Sequence, residues 1–220
     1  MSIFPLYLYF IAISFVASLS VYFTSKKSYS YLKLFPPFLL ATIIAEAMGS
    51  YLLSVNVNNL SLYNFFTVFE FVFYLWIINL IISNKRMKKI IRAVLLVYTL
   101  TAVVNIILIQ KMKAFHTVTY ALGCLLIVIF CFYYFLELFK FPKAVKLTNN
   151  PAFWISTALL FFYCCGFPLY GLINYLSSIP KLIINNFYSI IIILNCFLYT
   201  LFTIAFLCRI KIRNYTLSSS

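Results

Sequence analysis

Long apolar runs, broken by short polar stretches, fill this chain from end to end. Seven are read, at 3–23, 35–54, 61–83, 90–109, 115–139, 152–175 and 185–207. Each is close to the ~20 residues that an α-helix needs to cross the hydrocarbon of a bilayer. The pattern therefore predicts an all-α polytopic membrane protein with seven transmembrane helices. No stretch outside the runs is long enough for a soluble domain, so 1–220 reads as one membrane domain ending in a short basic tail at 208–220.

Prolines and asparagines mark helix starts. Pro36 and Pro37 open the second run, and Pro180 precedes the seventh. Asn150 before Pro151 reads as an N-cap followed by a first-turn proline for the sixth. Pro168, between Gly166 and Gly171, falls inside that sixth run. It lacks an N–H and clashes with the carbonyl four residues back, at Cys164, which predicts a kink there and a pocket facing Tyr163 or Tyr170.

The composition agrees with this reading: 65% of residues are hydrophobic and 9% charged. A formal charge of +14 on a soluble chain would suggest nucleic acid. Here the basic residues lie between the apolar runs, so anionic lipid headgroups are their expected partners and nucleic acid is not. Of the Lys and Arg residues, fourteen fall in the first, third and fifth connections and the tail, and three, Lys111, Lys113 and Lys181, fall on the opposite side. The positive-inside bias then places the N-terminus outside and the C-terminus in the cytoplasm, as for a multi-pass protein of the inner (plasma) membrane. The first run lacks a basic leader segment, with Lys26 and Lys27 following it, and reads as a retained helix.

The acids are few. The chain has three Glu and no Asp, and two of the Glu, Glu46 and Glu70, lie deep in the second and third runs. Only the turn at 55–60 separates those runs, which puts the acids roughly 12 and 13 Å from it at 1.5 Å per residue. A carboxylate at such depth costs about 2.5–3.5 kcal/mol even on insertion scales. No Lys or Arg lies at matching depth. That leaves a protonated Glu donating a hydrogen bond, a pair sharing one proton, or a pair holding a cation, with the two side chains approaching each other inside the hairpin.

Helical spacing gathers further polar groups. Tyr63, Thr67, Glu70 and Tyr74 share one face of the third run, and Thr42, Glu46, Gly49 and Ser50 one face of the second. Tyr98, Thr101 and Asn105 do so on the fourth, and Asn195, Tyr199 and Thr203 on the seventh. Such faces turn away from lipid, so Glu46, Glu70, Tyr63, Thr67, Tyr74, Asn105, Asn195 and Tyr199 are the candidate ligand-binding or proton-handling residues. Glu137 reads as a surface ion-pair partner of Lys140, His116 as a lone interfacial histidine, Trp154 as an interfacial anchor and Trp76 as a packing residue. The six cysteines lie in or at the ends of apolar runs and none has C-x-x-C spacing, so they read as small hydrophobes. Neither a metal set nor a cofactor motif is present, and no nucleophile accompanies the acids.

The pattern Tyr63-Asn64…Glu70…Tyr74, followed by Asn150-Pro151-Ala152-Phe153-Trp154-Ile155, resembles uncharacterised bacterial seven-helix inner-membrane proteins. These are in turn similar to the membrane modules of some sensor kinases. The resemblance implies a receptor-like or accessory module that binds a small ligand or a partner membrane or signalling protein. With no output domain in the chain, action through a partner is expected, by way of the basic segment from Lys85 to Arg92. The alternatives are a proton- or cation-coupled transporter using Glu46 and Glu70, and an intramembrane lipid-modifying enzyme using them as acid and base. A retinal protein is excluded, because no lysine lies between Ser189 and Cys208 to form the Schiff base.

Overall fold

A computed structural model describes residues 6–23, 27–106, 115–140, 147–171 and 181–217. Among the described residues there are seven α-helices and no strand: α1 (Tyr7–Leu19), α2 (Phe35–Ser54), α3 (Leu60–Ile81), α4 (Lys85–Val104), α5 (Thr117–Lys140), α6 (Pro151–Gly171) and α7 (Lys181–Leu217). Short 3₁₀ segments, Lys27–Leu34 and Leu147–Asn149, precede α2 and α6.

The helix ends follow from local chemistry. Asn84 caps α4, its side chain accepting from the N–H groups of Arg86 and Met87. Asn150 accepts from Ala152 N–H at 3.1 Å, as expected of an N-cap before Pro151. Prolines occupy the first turn of α2. Its C-terminus closes by a Schellman motif, with Val57 N–H donating to the Leu52 carbonyl and Asn56 N–H to Leu53. Asn56 supplies the left-handed residue the motif requires, at φ 57°. The α6 helix continues through Pro168 to Gly171 and does not stop at the proline.

Several expected boundaries move. The helix of the first run is described from Tyr7 to Leu19, with turns at 20–23. The α4 helix begins at Lys85, not at residue 90, because the Asn84 cap starts it early and Lys and Arg are good helix formers. The five basic residues thus sit within its first two turns and not in a loop. The α7 helix runs on to Leu217, so the basic segment after 207 continues the helix as far as it is described. Residues 107–109 and 172–175, expected in the fourth and sixth spans, lie outside the described residues.

Five segments are long and apolar enough to cross a membrane: Tyr29–Ser54, Leu60–Ile81, Thr117–Lys140, Pro151–Tyr170 and Asn186–Cys208. The chain is a helical membrane protein. Its helices show the expected reversal of polarity. On α1, Ser14 and Ser18 are buried while Tyr9, Ile13 and Val16 are exposed, and the outward faces of the other helices are likewise apolar. Trp76 belongs to that outward surface, contrary to its reading as a packing residue, because it falls on the face of α3 opposite Tyr74 and Phe71.

The packing forms a ring. α1 contacts α2 and α7, α7 packs on α6, α6 on α5, α5 on α3, and α3 faces α2. α4 lies outside, laid mainly against α3 through a narrow stripe of Ile91, Tyr98 and Ala102. The ring is filled largely by aromatic side chains: Phe38 stacks on Phe73 at 3.8 Å between centroids, and Phe35 meets Phe73, Phe202 and Phe206 edge-on. The α3–α5 contact is close because Gly123 faces the Phe71 ring, where a Cβ would come within 2.6 Å of it.

Candidate functional site

The candidate site lies in the half of the bundle bounded by the α2–α3 turn. At 1.5 Å per residue, Glu46 stands about 12 Å below the end of α2 and Glu70 about 15 Å below the start of α3. The Glu46 Oε2 accepts two phenol hydrogen bonds, from Tyr7 at 2.7 Å and from Tyr63 at 3.1 Å. One carboxylate oxygen thereby ties α1, α2 and α3 together. Gly49, one turn along α2, lets this happen: a Cβ there would overlap the Tyr63 ring and hydroxyl. Asn59 donates to the Gly49 carbonyl at 3.2 Å and fastens the α2–α3 turn over the site.

Glu70 has a different environment. The hydroxyls of Tyr74 and Tyr163 stand beside its carboxyl. Both tyrosines have 0% exposure, and their hydroxyls interact with the Glu70 carboxyl without reaching full hydrogen-bond geometry. The Tyr98 hydroxyl, on α4, is buried with no hydrogen-bond partner among the described residues. Around them the Phe71 ring meets Tyr98 at 5.9 Å and Tyr120 and Tyr163 at 5.2 Å each, and Tyr74 meets Tyr163 at 5.9 Å. Tyr199 of α7 is buried within electrostatic reach of Glu70.

Glu46 and Glu70 also interact electrostatically with each other. The hydrogen bonds that Glu46 accepts nevertheless come from Tyr7 and Tyr63, and the hydroxyls nearest Glu70 are those of Tyr74 and Tyr163. Tyr7, Glu46, Tyr63, Glu70, Tyr170 and Asn195 are all half-buried and form one interacting polar cluster. Beside it Tyr74, Tyr163 and Tyr199 are buried.

Six of the eight sequence-derived candidates belong to this cluster or to the buried tyrosines beside it: Glu46, Glu70, Tyr63, Tyr74, Asn195 and Tyr199. Asn195 lies beside Tyr170, with its amide donating to the Ile191 carbonyl at 2.9 Å. Thr67 is half-buried on the same helix, but its hydroxyl returns to the Asn64 carbonyl. Asn105 stands apart and donates to Thr119 at 2.6 Å, clamping α4 to α5. Close by in sequence, His116 is buried and its backbone N–H donates to Asn64 Oδ1, so it joins α3 to the start of α5 and is not an interfacial side chain. Glu137 accepts from Ser83 N–H at 3.1 Å, and its partner is therefore the α3–α4 turn and not Lys140. Trp154 donates to the Thr148 carbonyl at 2.8 Å, in the 3₁₀ segment before α6, at the bundle end expected of an interfacial anchor.

Two site tyrosines escaped the sequence reading, Tyr7 and Tyr120. The signal at Tyr120 was its spacing of four from Cys124, which it faces on α5. Tyr7, in the first turn of α1, shares a face with Ser14 and Ser18 at steps of seven and four, and that spacing was the signal that could have marked it.

The chemistry available is that of two carboxylates, a set of phenols and no basic counter-charge, since no Lys or Arg is buried among the described residues. Phenol hydroxyls both donate and accept, and the carboxylates accept. No three His, Cys, Asp or Glu side chains converge among the described residues as a metal-binding group. No family model, curated protein or solved structure matches the chain.

Proposed function

We propose that this protein is a receptor-like or accessory module of the inner (plasma) membrane that binds a small ligand, or a partner membrane protein, at the polar cluster around Glu46 and Glu70. The carrying observation is the pair of fully buried hydroxyls on Tyr74 and Tyr163, which stand beside the half-buried Glu70 carboxyl without reaching full hydrogen-bond geometry. Buried polar groups are normally hydrogen-bonded, and leaving one unmade costs about 1–3 kcal/mol. Hydroxyls held short of full hydrogen-bond geometry can be completed by a bound polar group. Affinity purification of the full chain from its native membranes, followed by mass spectrometry of the extract, tests this. A stoichiometric small molecule that is lost on Tyr163→Phe is the expected result. Recovery of neither a small molecule nor a stable membrane partner would end the reading.

The same proposal takes seven spans with the N-terminus outside, counting the shorter apolar α1 and the basic-ended α4 as spans alongside the other five. The distribution of basic residues supports it. Rapid labelling of Ser219→Cys by an impermeant thiol reagent in intact cells would overturn that orientation.

One observation favours a second reading, a proton- or cation-coupled transporter: both intramembrane acids lie within electrostatic reach of each other in one cluster. Coupled flux in proteoliposomes that vanishes in Glu70→Gln would select it over the receptor-like module.

A further inference from the structure

We propose that the outward face of α4 holds an anionic phospholipid, with the headgroup on Arg86 and Lys89 and an acyl chain laid along Leu96, Leu100 and Val104. This surface lies apart from the polar cluster and stands whatever that cluster binds.

The acids of the whole chain come first. It carries three Glu and no Asp. Glu46 and Glu70 belong to the half of the bundle near the α2–α3 turn, and α4 starts beyond the opposite end of α3. Glu137 is the one acid near that start, and its Oε2 accepts from Ser83 N–H. Against this single carboxylate stand five cations within eight residues, Lys85, Arg86, Lys88, Lys89 and Arg92. Each has a like-charged neighbour three or four residues away, and all crowd the end of the helix where the macrodipole is positive. No acidic residue in the first turn offsets this, whereas a bound anion does. Backbone amides are not the attraction, because the Asn84 side chain already takes those of Arg86 and Met87. The attraction is side-chain charge.

The rest of the face identifies the anion. α4 packs inward through Ile91, Tyr98 and Ala102. On the opposite side Arg86, Lys89, Ala93, Leu96, Leu100 and Val104 follow at steps of three or four, all exposed. Polarity changes once along this line. From Lys85 to Arg92 is about 10 Å, the depth of a headgroup zone reached by long side chains, and from Arg92 to Val104 about 18 Å, close to the ~15 Å of one leaflet's hydrocarbon. A phospholipid has the same order and proportions. Free phosphate would use only the basic end, and an acidic protein segment would leave the apolar end unmatched. Basic clusters of this size beside a membrane helix attract anionic lipid. This one is also held in place from α5, by Glu137 on Ser83 and by Tyr133, whose hydroxyl accepts from Asn84 Nδ2 at 3.0 Å.

The test is tryptophan quenching of the full chain in nanodiscs. Leu96→Trp is made in a Trp76→Phe/Trp154→Phe background, with melting curves checked. The discs hold phosphatidylcholine with a minor share of brominated phosphatidylglycerol or of brominated phosphatidylcholine. Phosphatidylglycerol is expected to associate at this position at least about fivefold more strongly, the factor for one cation beside an anionic headgroup. Arg86→Gln/Lys89→Gln should bring the ratio close to one. Arg209→Gln/Lys211→Gln, which removes the same charge from the tail, should leave it unchanged. A ratio near one in the parent protein would overturn the proposal. So would a ratio unmoved by the α4 double variant, or lowered equally by the tail variant. Loss of the preference in millimolar inorganic phosphate would reveal a free-anion site and overturn the lipid assignment. Photocrosslinking from a reactive residue at Ala93 in native membranes that captures protein and no lipid would overturn it as well, and give the face to an acidic partner.

Discussion

Glu46 Oε2 joins three helices through two phenol hydrogens, so removing the acceptor and removing one donor are different events. Tyr7→Phe deletes a single bond and should cost about 0.6–1.5 kcal/mol, in the range measured for interhelical hydrogen bonds in membranes. Glu46→Gln keeps a carbonyl oxygen in place and should cost no more than that. Glu46→Leu strands both hydroxyls in the cluster and should cost about 2–3 kcal/mol. Equilibrium unfolding in mixed micelles reads all three, and a glutamine variant as unstable as the leucine variant would contradict the hydrogen-bond account. Glu46 and Glu70 were visible in the sequence because a carboxylate in an apolar run stands out by its cost. Tyr7 was not, since one phenol among 18 Tyr carries no such contrast. Its spacing to Ser14 and Ser18 marks a face, but its role depends on α1 lying beside α2, which is a fact of packing.

Among the elements, the α3–α5 contact is the tightest constraint on shape. A methyl at Gly123 would press into the face of Phe71, a ring with no exposure and neighbours on three helices. Gly123→Ala should destabilise the bundle by about 1–3 kcal/mol, the usual cost of overpacking. Shortening the facing side chain, in Gly123→Ala/Phe71→Leu, should cost less than the two single changes added together. Thermal melts of the four proteins form a double-mutant cycle, and strict additivity would show that the two positions do not press on each other. Helix starts at Pro36 and Pro151 could be read directly, because proline and an asparagine cap act locally. The early start of α4 and the long α7 could not, since apolar run length measures the hydrocarbon and a helix of Lys, Arg and Asn can continue past it.

For the whole molecule, the outward surface is the clearest evidence of its solvent. Trp76 faces outward from α3, five residues before its end at Ile81, whereas Trp154 is tied to the Thr148 carbonyl at the bundle end. In a Trp154→Phe background, lipids brominated along the acyl chain should quench the remaining fluorescence strongly. Weak quenching with strong iodide quenching from water would place that face of α3 outside the hydrocarbon. The ring itself closes by α7 against α1, the last helix against the first. During synthesis this contact is the final one available, because α7 leaves the ribosome after every other wall is in place. Until then the Ser14–Ser18 face of α1 and the acids behind it are open on one side to lipid. The seam therefore works as a proofreading step for completeness: a chain arrested at residue 180 keeps its polar interior uncovered and should be cleared faster than the full chain in a pulse-chase experiment. Equal lifetimes would show that the first six helices shield those groups without α7.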